Sequence, residues 1–203
     1  MNLRTTTALV AAVATGALLL PLTGAAQAKA PSAAPGFLAP ADLPPASTDW
    51  HGGPVTKGTP EFPPFCLDKV LPAKGATWHR QFGTELETGA VQISVTAPST
   101  TAARRLAAAA GKAAADCAAD WLRRTPGGTA SWADYGKLAV EEGAHVYGVH
   151  TSIPESEPGV HLIGVGRDGR TVTVVQWGQM GDLSDAPVPA FKRTTATAVN
   201  KLH

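Results

Sequence analysis

Apolar and polar residues alternate along several stretches of the chain, and this pattern predicts strands. In residues 90–97, Val91, Ile93 and Val95 fall on one side, and polar residues occupy the positions between them. A period of two is typical of a half-buried strand. An Asp-Gly pair favours a tight hairpin between the last two predicted strands. Strands are predicted at residues 78–82, 90–97, 131–135, 145–151, 160–166 and 170–178.

Two longer stretches have helical periodicity. In residues 99–124, apolar and small residues recur every three or four positions, and Ser99 or Thr100 is suited to cap the start. A second helix is predicted at about residues 186–202, with Asp185 as its expected N-cap. Prolines near its start fit only the first turn of a helix.

The predicted element order, β-β-α-β-β-β-β-α, indicates an α+β domain. Most links between strands are too short for crossover connections, so the sheet should be mainly antiparallel. Two helices are too few to cover both faces of such a sheet, and we therefore expect both long helices on one face, in two layers. The opposite face would be solvated or partly covered by the N-terminal segment, and it is the expected location of function.

The first residues predict a secretory signal peptide. An apolar stretch is followed by Pro21 and then by Ala26-Gln27-Ala28, which has small residues at both recognition positions of a cleavage site. We expect residues 1–28 to be removed by cleavage after Ala28 and the mature protein to be secreted. Cleavage after Ala30, and a buried core helix in place of a signal, are the alternatives.

The segment after the predicted cleavage site differs in composition from the rest. Nine of the seventeen prolines fall within residues 29–64, which rules out a long helix or a central strand there. We expect an extended Pro-rich tail, with one short helical turn near Pro40, followed by the folded domain at residues 65–203. The tail is either disordered or anchored on the domain by Phe37, Leu38, Leu43 and Trp50.

The chain contains two cysteines, Cys66 and Cys117. In an exported protein an even number of cysteines usually indicates pairing, so we expect one structural disulfide. Two free thiols are the alternative.

Composition excludes some classes of partner. The chain has 17 Lys and Arg against 16 Asp and Glu, a balance that does not suit a nucleic-acid binder. No apolar run reaches the roughly 18 residues of a membrane-spanning helix. We expect a monomer.

No motif for catalysis, for a metal or for a cofactor is present in the sequence. Nucleophile elbows, P-loops and dinucleotide-binding glycine patterns are absent, so no catalytic or metal-binding residue and no cofactor is expected. Hydroxyl and aromatic residues of the predicted strands instead suggest a ligand-facing surface. An ordinary solvated strand face is the alternative. The candidate ligand-binding residues are Trp177, Thr173, Thr171, Tyr147 and Ser94.

Four segments and the two cysteines form a combination that belongs together: residues 37–43, 143–150, 165–169 and 172–178, with Cys66 and with Cys117 on the first long helix. Together they resemble the secreted sensor domain-containing proteins of actinobacteria. That family is related to the extracellular sensor domain of PknH-type mycobacterial serine/threonine kinases. The resemblance implies a mixed sheet-and-helix domain with a cleft for an extracellular ligand and without catalysis, although this chain has one cysteine pair where the kinase sensor has two.

The function expected from these observations is that of a secreted extracellular ligand-binding or sensor-like module with no catalytic activity of its own. Its partner would be an extracellular small molecule, a cell-wall fragment or a protein. A secreted hydrolase with a carboxylate or histidine site, and a protein-interaction or inhibitor module, are the alternatives.

Overall fold

Eight strands form an antiparallel sheet in the computed structural model, which describes residues 33–73 and 75–203. Every neighbouring pair is antiparallel, in the order β1-β3-β4-β8-β7-β6-β5, and β2 also pairs with β3. The predicted α+β class, antiparallel sheet and order of the six main strands are confirmed. The strands are β1 (His51–Gly52), β2 (Thr56–Lys57), β3 (Thr77–Gly83), β4 (Gly89–Thr96), β5 (Thr129–Leu138), β6 (Ala144–Ser152), β7 (Gly159–Asp168) and β8 (Thr171–Met180).

Two helices, α1 (Thr100–Arg124) and α2 (Val188–Asn200), correspond to the predicted ones. The Ser99 side chain caps α1 by accepting a hydrogen bond from the Ala102 amide at 3.1 Å. The prediction that Asp185 caps α2 was wrong. Its carboxylate instead accepts a hydrogen bond from the Asp182 amide at 2.9 Å, within the loop before the helix.

The two helices pack on opposite faces of the sheet, so the prediction of both helices on one face in two layers was wrong. Ala110 and Ala114 of α1 pack with Ile163, on the side that we call the α1 face. Phe191 of α2 packs with Leu162, on the side that we call the α2 face. Adjacent residues in a strand point to opposite faces, and the strands in the middle of the sheet are apolar on both sides.

The proline-rich tail packs against the α2 face as part of the same compact unit as the sheet. Leu38 is fully buried. Its amide donates to Gln92 Oε1 at 2.7 Å, and its carbonyl accepts from Arg80 Nη1 at 2.7 Å. The predicted helical turn is present at Pro40–Asp42. Residues 33–64 are therefore ordered and do not form a disordered linker.

The tail also contacts the end of α2. Lys201 Nζ pairs with the Asp42 carboxylate, and Thr194 Oγ1 donates to the Asp42 carbonyl at 2.6 Å. Burial alone would raise the pKa of Asp42, but hydrogen bonds from Lys201 and from the Ala39 amide lower it below its usual value. Gly36 is so close to the Lys201 carbonyl oxygen that a Cβ there would lie 2.0 Å from it.

Cys66 and Cys117 form the predicted disulfide, with their Cα atoms 5.5 Å apart. The bond joins the segment before β3 to α1 and packs against Val149 on the α1 face. The predicted signal peptide, residues 1–28, lies outside the described residues. In the part of the chain that is described, no helix is both long and apolar enough to cross a membrane.

Candidate functional site

Four of the five predicted ligand-binding residues lie on the α2 face, in β4 and β8. Ser94, Thr173 and Trp177 are buried there beneath α2 and the tail, and Thr171 is half-buried. The prediction of an exposed hydroxyl and aromatic surface was therefore wrong, because the tail and α2 together cover it.

The hydroxyl groups on the α2 face bond to one another. Thr173 Oγ1 lies 3.0 Å from Ser94 Oγ and accepts a hydrogen bond from Gln92 Nε2 at 3.1 Å. Thr171 Oγ1 lies 3.2 Å from Thr96 Oγ1 on the neighbouring strand. Pairing within the sheet offsets the loss of water for these groups. This cluster is a structural network between β4 and β8.

The fifth candidate, Tyr147, lies on the α1 face and lines a cleft of about 460 Å³ between α1 and the β5–β6–β7 part of the sheet. We call it the α1 cleft. Volumes of this size are typical of sites for small ligands. Its lining residues are Ala107, Ala108, Gly111, Lys112, Ala115, Lys137, Leu138, Glu142, Gly143, Ala144, His145, Tyr147, Val165, Gly166 and Arg167.

Small residues of α1 leave room for the α1 cleft. A Cβ at Gly111 would lie 3.3 Å from the Tyr147 hydroxyl oxygen, closer than an unstrained contact. No described residue hydrogen-bonds that hydroxyl. Burial first, and then the charge of Asp134, raise the pKa of Tyr147, so the phenol stays neutral at physiological pH. The cleft therefore contains a neutral hydroxyl that can donate to a ligand or accept from it.

A bulge in β5 places a carboxylate beside His145. The register of β5 against β6 shifts between Asp134 and Gly136, and Gly136 has a φ of 88°, in the region that favours glycine. Asp134 Oδ1 lies 2.6 Å from His145 Nε2 and accepts from the Gly136 amide at 2.7 Å. Hydrogen bonding to His145 lowers the pKa of Asp134.

The imidazole held by Asp134 forms part of an aromatic array. His145 stacks on Tyr147 with the ring centroids 4.3 Å apart, and Trp132 lies on the other side of Tyr147 at 6.4 Å. The carboxylate and the stacking fix the orientation of the histidine ring. Two stacked rings, His145 and Tyr147, therefore form part of the wall of the cleft.

Positive charge predominates around the α1 cleft. Three permanent cations line it, Lys112, Lys137 and Arg167, against one carboxylate, Glu142. Glu142 is occupied, since Oε2 accepts from the Gly169 amide at 2.7 Å and Oε1 lies 3.6 Å from Arg167 Nη1. Lys112 pairs with an aspartate outside the cleft. Lys137 has no ion-pair partner among residues 33–73 and 75–203.

Comparison with known proteins adds no assignment. No protein-family model matches the chain, and no curated protein matches it. The resemblance to actinobacterial sensor domains therefore stays a prediction from the sequence. Within the described ranges, no group of three or more His, Cys, Asp or Glu side chains is arranged to hold a metal ion.

Sequence reasoning found Tyr147 but missed the residues around it. A glycine inside an alanine-rich helix was the available signal for Gly111, since glycine weakens a helix by about 1 kcal/mol relative to alanine and often has a packing or functional reason there. Lys137, His145 and Arg167 lie on three different strands. Their convergence depends on strand order, which their local patterns do not encode.

Proposed function

We propose that the protein is a secreted module that binds a small extracellular molecule in the α1 cleft and has no catalytic activity of its own. The ligand combines an apolar part, which packs along the alanines of α1, with an anionic group. The predicted signal peptide and the disulfide support the extracellular location, since disulfides persist in oxidising compartments.

The observation that carries this proposal is the unpaired Tyr147 hydroxyl inside a cleft with excess positive charge. The Tyr147 ring is buried, but its hydroxyl oxygen is open to the cleft, where a ligand can bond to it. Here the hydroxyl faces space left by Gly111, and Lys137 on the same cleft forms no close ion pair with a described residue, although its charge helps to lower the pKa of Asp134. These two groups together suit a carboxylate or a similar anion on an otherwise apolar molecule.

One observation favours a hydrolase as the second candidate function. An imidazole oriented by a carboxylate, as His145 is by Asp134, is the arrangement of a general base. However, no serine, threonine or cysteine side chain in the described part of the chain hydrogen-bonds His145. A hydrolase would have to use His145 to activate water. Ligand binding needs no such step and accounts for the same groups.

The test of the proposal uses phenylpropionate as the probe and phenylpropanol as its uncharged analogue. In amide NMR titrations, we expect phenylpropionate to shift the resonances of Gly111, Gly143 and His145. Tyr147→Phe and Lys137→Gln should each weaken its binding about fivefold, the effect of one hydrogen bond or one exposed ion pair. Because the Tyr147 hydroxyl has no protein partner, Tyr147→Phe should change the free energy of unfolding by less than about 0.5 kcal/mol.

Lys57→Gln is the matched control, since Lys57 is exposed on β2 and does not line the cleft. It should bind phenylpropionate as the wild type does. Equal affinity for phenylpropanol, or no shift of the cleft resonances at millimolar phenylpropionate, would refute the proposed site. If the protein hydrolyses p-nitrophenyl acetate and His145→Gln abolishes this activity, the hydrolase is the better assignment and the binding proposal is wrong.

A further inference from the structure

A second cavity of about 470 Å³ lies at the opposite end of β7 from the α1 cleft. It is formed by the ends of β3, β4, β7 and β8 and by the segment before the disulfide, and it shares no lining residue with the α1 cleft. We call it the β7–β8 cavity. It is comparable in size to the first site, but three cations line the α1 cleft and no lysine or arginine lines this cavity.

One wall of the β7–β8 cavity is rigid. The ring of His161 stacks on Phe65 with the centroids 4.6 Å apart. Gln176 holds the Phe65 backbone at two points, because Oε1 accepts from its amide at 2.8 Å and Nε2 donates to its carbonyl at 3.1 Å. Gly178 allows the ring to lie across β8, since a Cβ there would come within 2.7 Å of His161 Nδ1.

His161 also provides an unused polar group. Burial lowers its pKa to about 4, so the imidazole is neutral at neutral pH. No described residue hydrogen-bonds either ring nitrogen. A neutral imidazole has one N–H donor and one nitrogen acceptor, so the cavity contains an acceptor that can receive a hydrogen bond from a ligand.

The remaining lining side chains are apolar, acidic or glutamine amides. Phe62, 77% exposed, and Met180, 50% exposed, lie at the cavity and have no apolar partner that covers them. Glu87 and Glu157 line the same cavity, no lysine or arginine does, and neither carboxylate takes part in an ion pair within the described ranges. Exposed apolar side chains beside unpaired negative charge favour a ligand with an apolar body and a positive group.

We propose that the β7–β8 cavity is a second binding site, for a small amphipathic cation. The apolar body of the ligand packs against Phe62 and Met180. Its ammonium group is attracted by Glu87 and Glu157 and donates a hydrogen bond to the His161 ring. The site is independent of the α1 cleft and takes a ligand of the opposite charge.

The test uses phenylpropylamine, which is charged at neutral pH, with phenylpropanol as the uncharged analogue. In amide NMR titrations, phenylpropylamine should shift Gly159, Gly178 and Gln179 and leave Gly111 and Gly143 unchanged. The double variant Glu87→Gln/Glu157→Gln should bind it about tenfold more weakly, because each exposed carboxylate contributes a factor of a few. Its binding should also depend less on salt. Phe62→Ala should weaken the binding of both probes.

The double variant Glu61→Gln/Glu85→Gln is the matched control, since it removes the same charge from exposed residues that do not line the cavity. If this control loses as much affinity for phenylpropylamine as Glu87→Gln/Glu157→Gln does, the effect comes from the net charge of the protein and the proposal is overturned. Equal affinity for phenylpropanol and phenylpropylamine, or resonance shifts confined to the α1 cleft, would overturn it as well. Phenylpropionate reports on the α1 cleft through other residues, so either site can fail while the other stands.

Discussion

At the residue scale, each of the two cavities depends on one glycine that leaves space for a neighbouring side chain. Gly111 gives the Tyr147 hydroxyl its space in the α1 cleft, and Gly178 lets the His161 ring lie flat across β8. Neither glycine has a positive φ, so the backbone conformation does not require glycine at these positions. Glycine is required there because a functional side chain approaches the backbone closely. Substitution at these two positions is therefore expected to affect the cavities more than the strands or helix that contain them.

His161 makes stability depend on pH in the acid range. Its pKa is about 4 in the folded protein, against 6.5 for an unperturbed histidine. The unfolded chain therefore binds a proton that the folded protein does not, and folding loses stability as pH falls from 6.5 to 4. The loss should reach about 3 kcal/mol, at 1.36 kcal/mol for each pH unit. Urea unfolding of wild type and His161→Gln across this range measures it, and the variant should have the flatter profile.

The control for this measurement is His51→Gln, which removes an exposed histidine from β1. Its profile should follow that of the wild type, because other groups that titrate in acid are common to all three proteins. Parallel profiles for wild type and His161→Gln would show that the imidazole is protonated in the folded state and that burial does not depress its pKa.

At the scale of elements, the strands were predicted correctly, but their burial on both faces was not predicted. Alternation predicted the bounds of β4 to within one residue. It also predicted correctly that Val91, Ile93 and Val95 share a face. Adjacent apolar pairs such as Leu162-Ile163 and Val174-Val175 indicate strands covered on both sides. That signal was present in the sequence, and it contradicts the two-layer arrangement. The expectation instead relied on the number of helices and gave the opposite face only a partial cover by the tail.

The packing of α2 on the sheet depends on the absence of a side chain at Gly164. A Cβ there would lie 2.3 Å from Thr195 Oγ1 on the helix, and Thr195 is fully buried. Gly164→Ala should therefore destabilise the protein by about 2 kcal/mol, because an overpacked core has to shift its elements. Gly83→Ala is the control, since nothing lies within 4 Å of a Cβ at that position. Its free energy of unfolding should stay within about 0.5 kcal/mol of the wild type.

Equal urea midpoints for the two alanine variants would contradict the close contact between α2 and β7. The comparison is informative because both glycines lie in strands and gain the same methyl group. The effect of alanine on the strand backbone is therefore common to both variants. The difference between their free energies of unfolding measures the contact with α2.

The candidate site was predictable only as far as a single strand shows it. Tyr147 was identified from its own segment, whereas Lys137 and His145 reach the cleft because β5 pairs with β6 across a bulge. The β7–β8 cavity was missed altogether. Its charged residues lie in two separate turns, and only the folded sheet brings Glu87 and Glu157 together.

At the scale of the whole molecule, the tail and the disulfide each attach an N-terminal segment to one face of the sheet. The tail covers the α2 face, and the Cys66–Cys117 bond fixes the segment that forms one wall of the β7–β8 cavity on the α1 face. The predicted boundary at residue 65 therefore separates two compositions, while packing continues across it.

Loss of the disulfide should destabilise the whole molecule. The cysteines are 51 residues apart, and by chain-entropy arithmetic a crosslink of this length contributes about 4 kcal/mol. The double variant Cys66→Ser/Cys117→Ser should lose about this amount in urea unfolding. Reduction of the wild type should have the same effect. Wild-type stability that is unchanged by reductant, or two alkylatable thiols in the exported protein, would contradict this role of the bond.

The contact between Gly36 and Lys201 makes the protein suitable for circular permutation. The start of the described tail and the end of the last helix touch, so a short linker can join residue 203 to residue 33. New termini can then be opened in the exposed loop at residues 153–157, between β6 and β7. Such a circular permutant retains every strand pairing, and its termini lie beside Glu157, where a fluorophore would report on a bound amine.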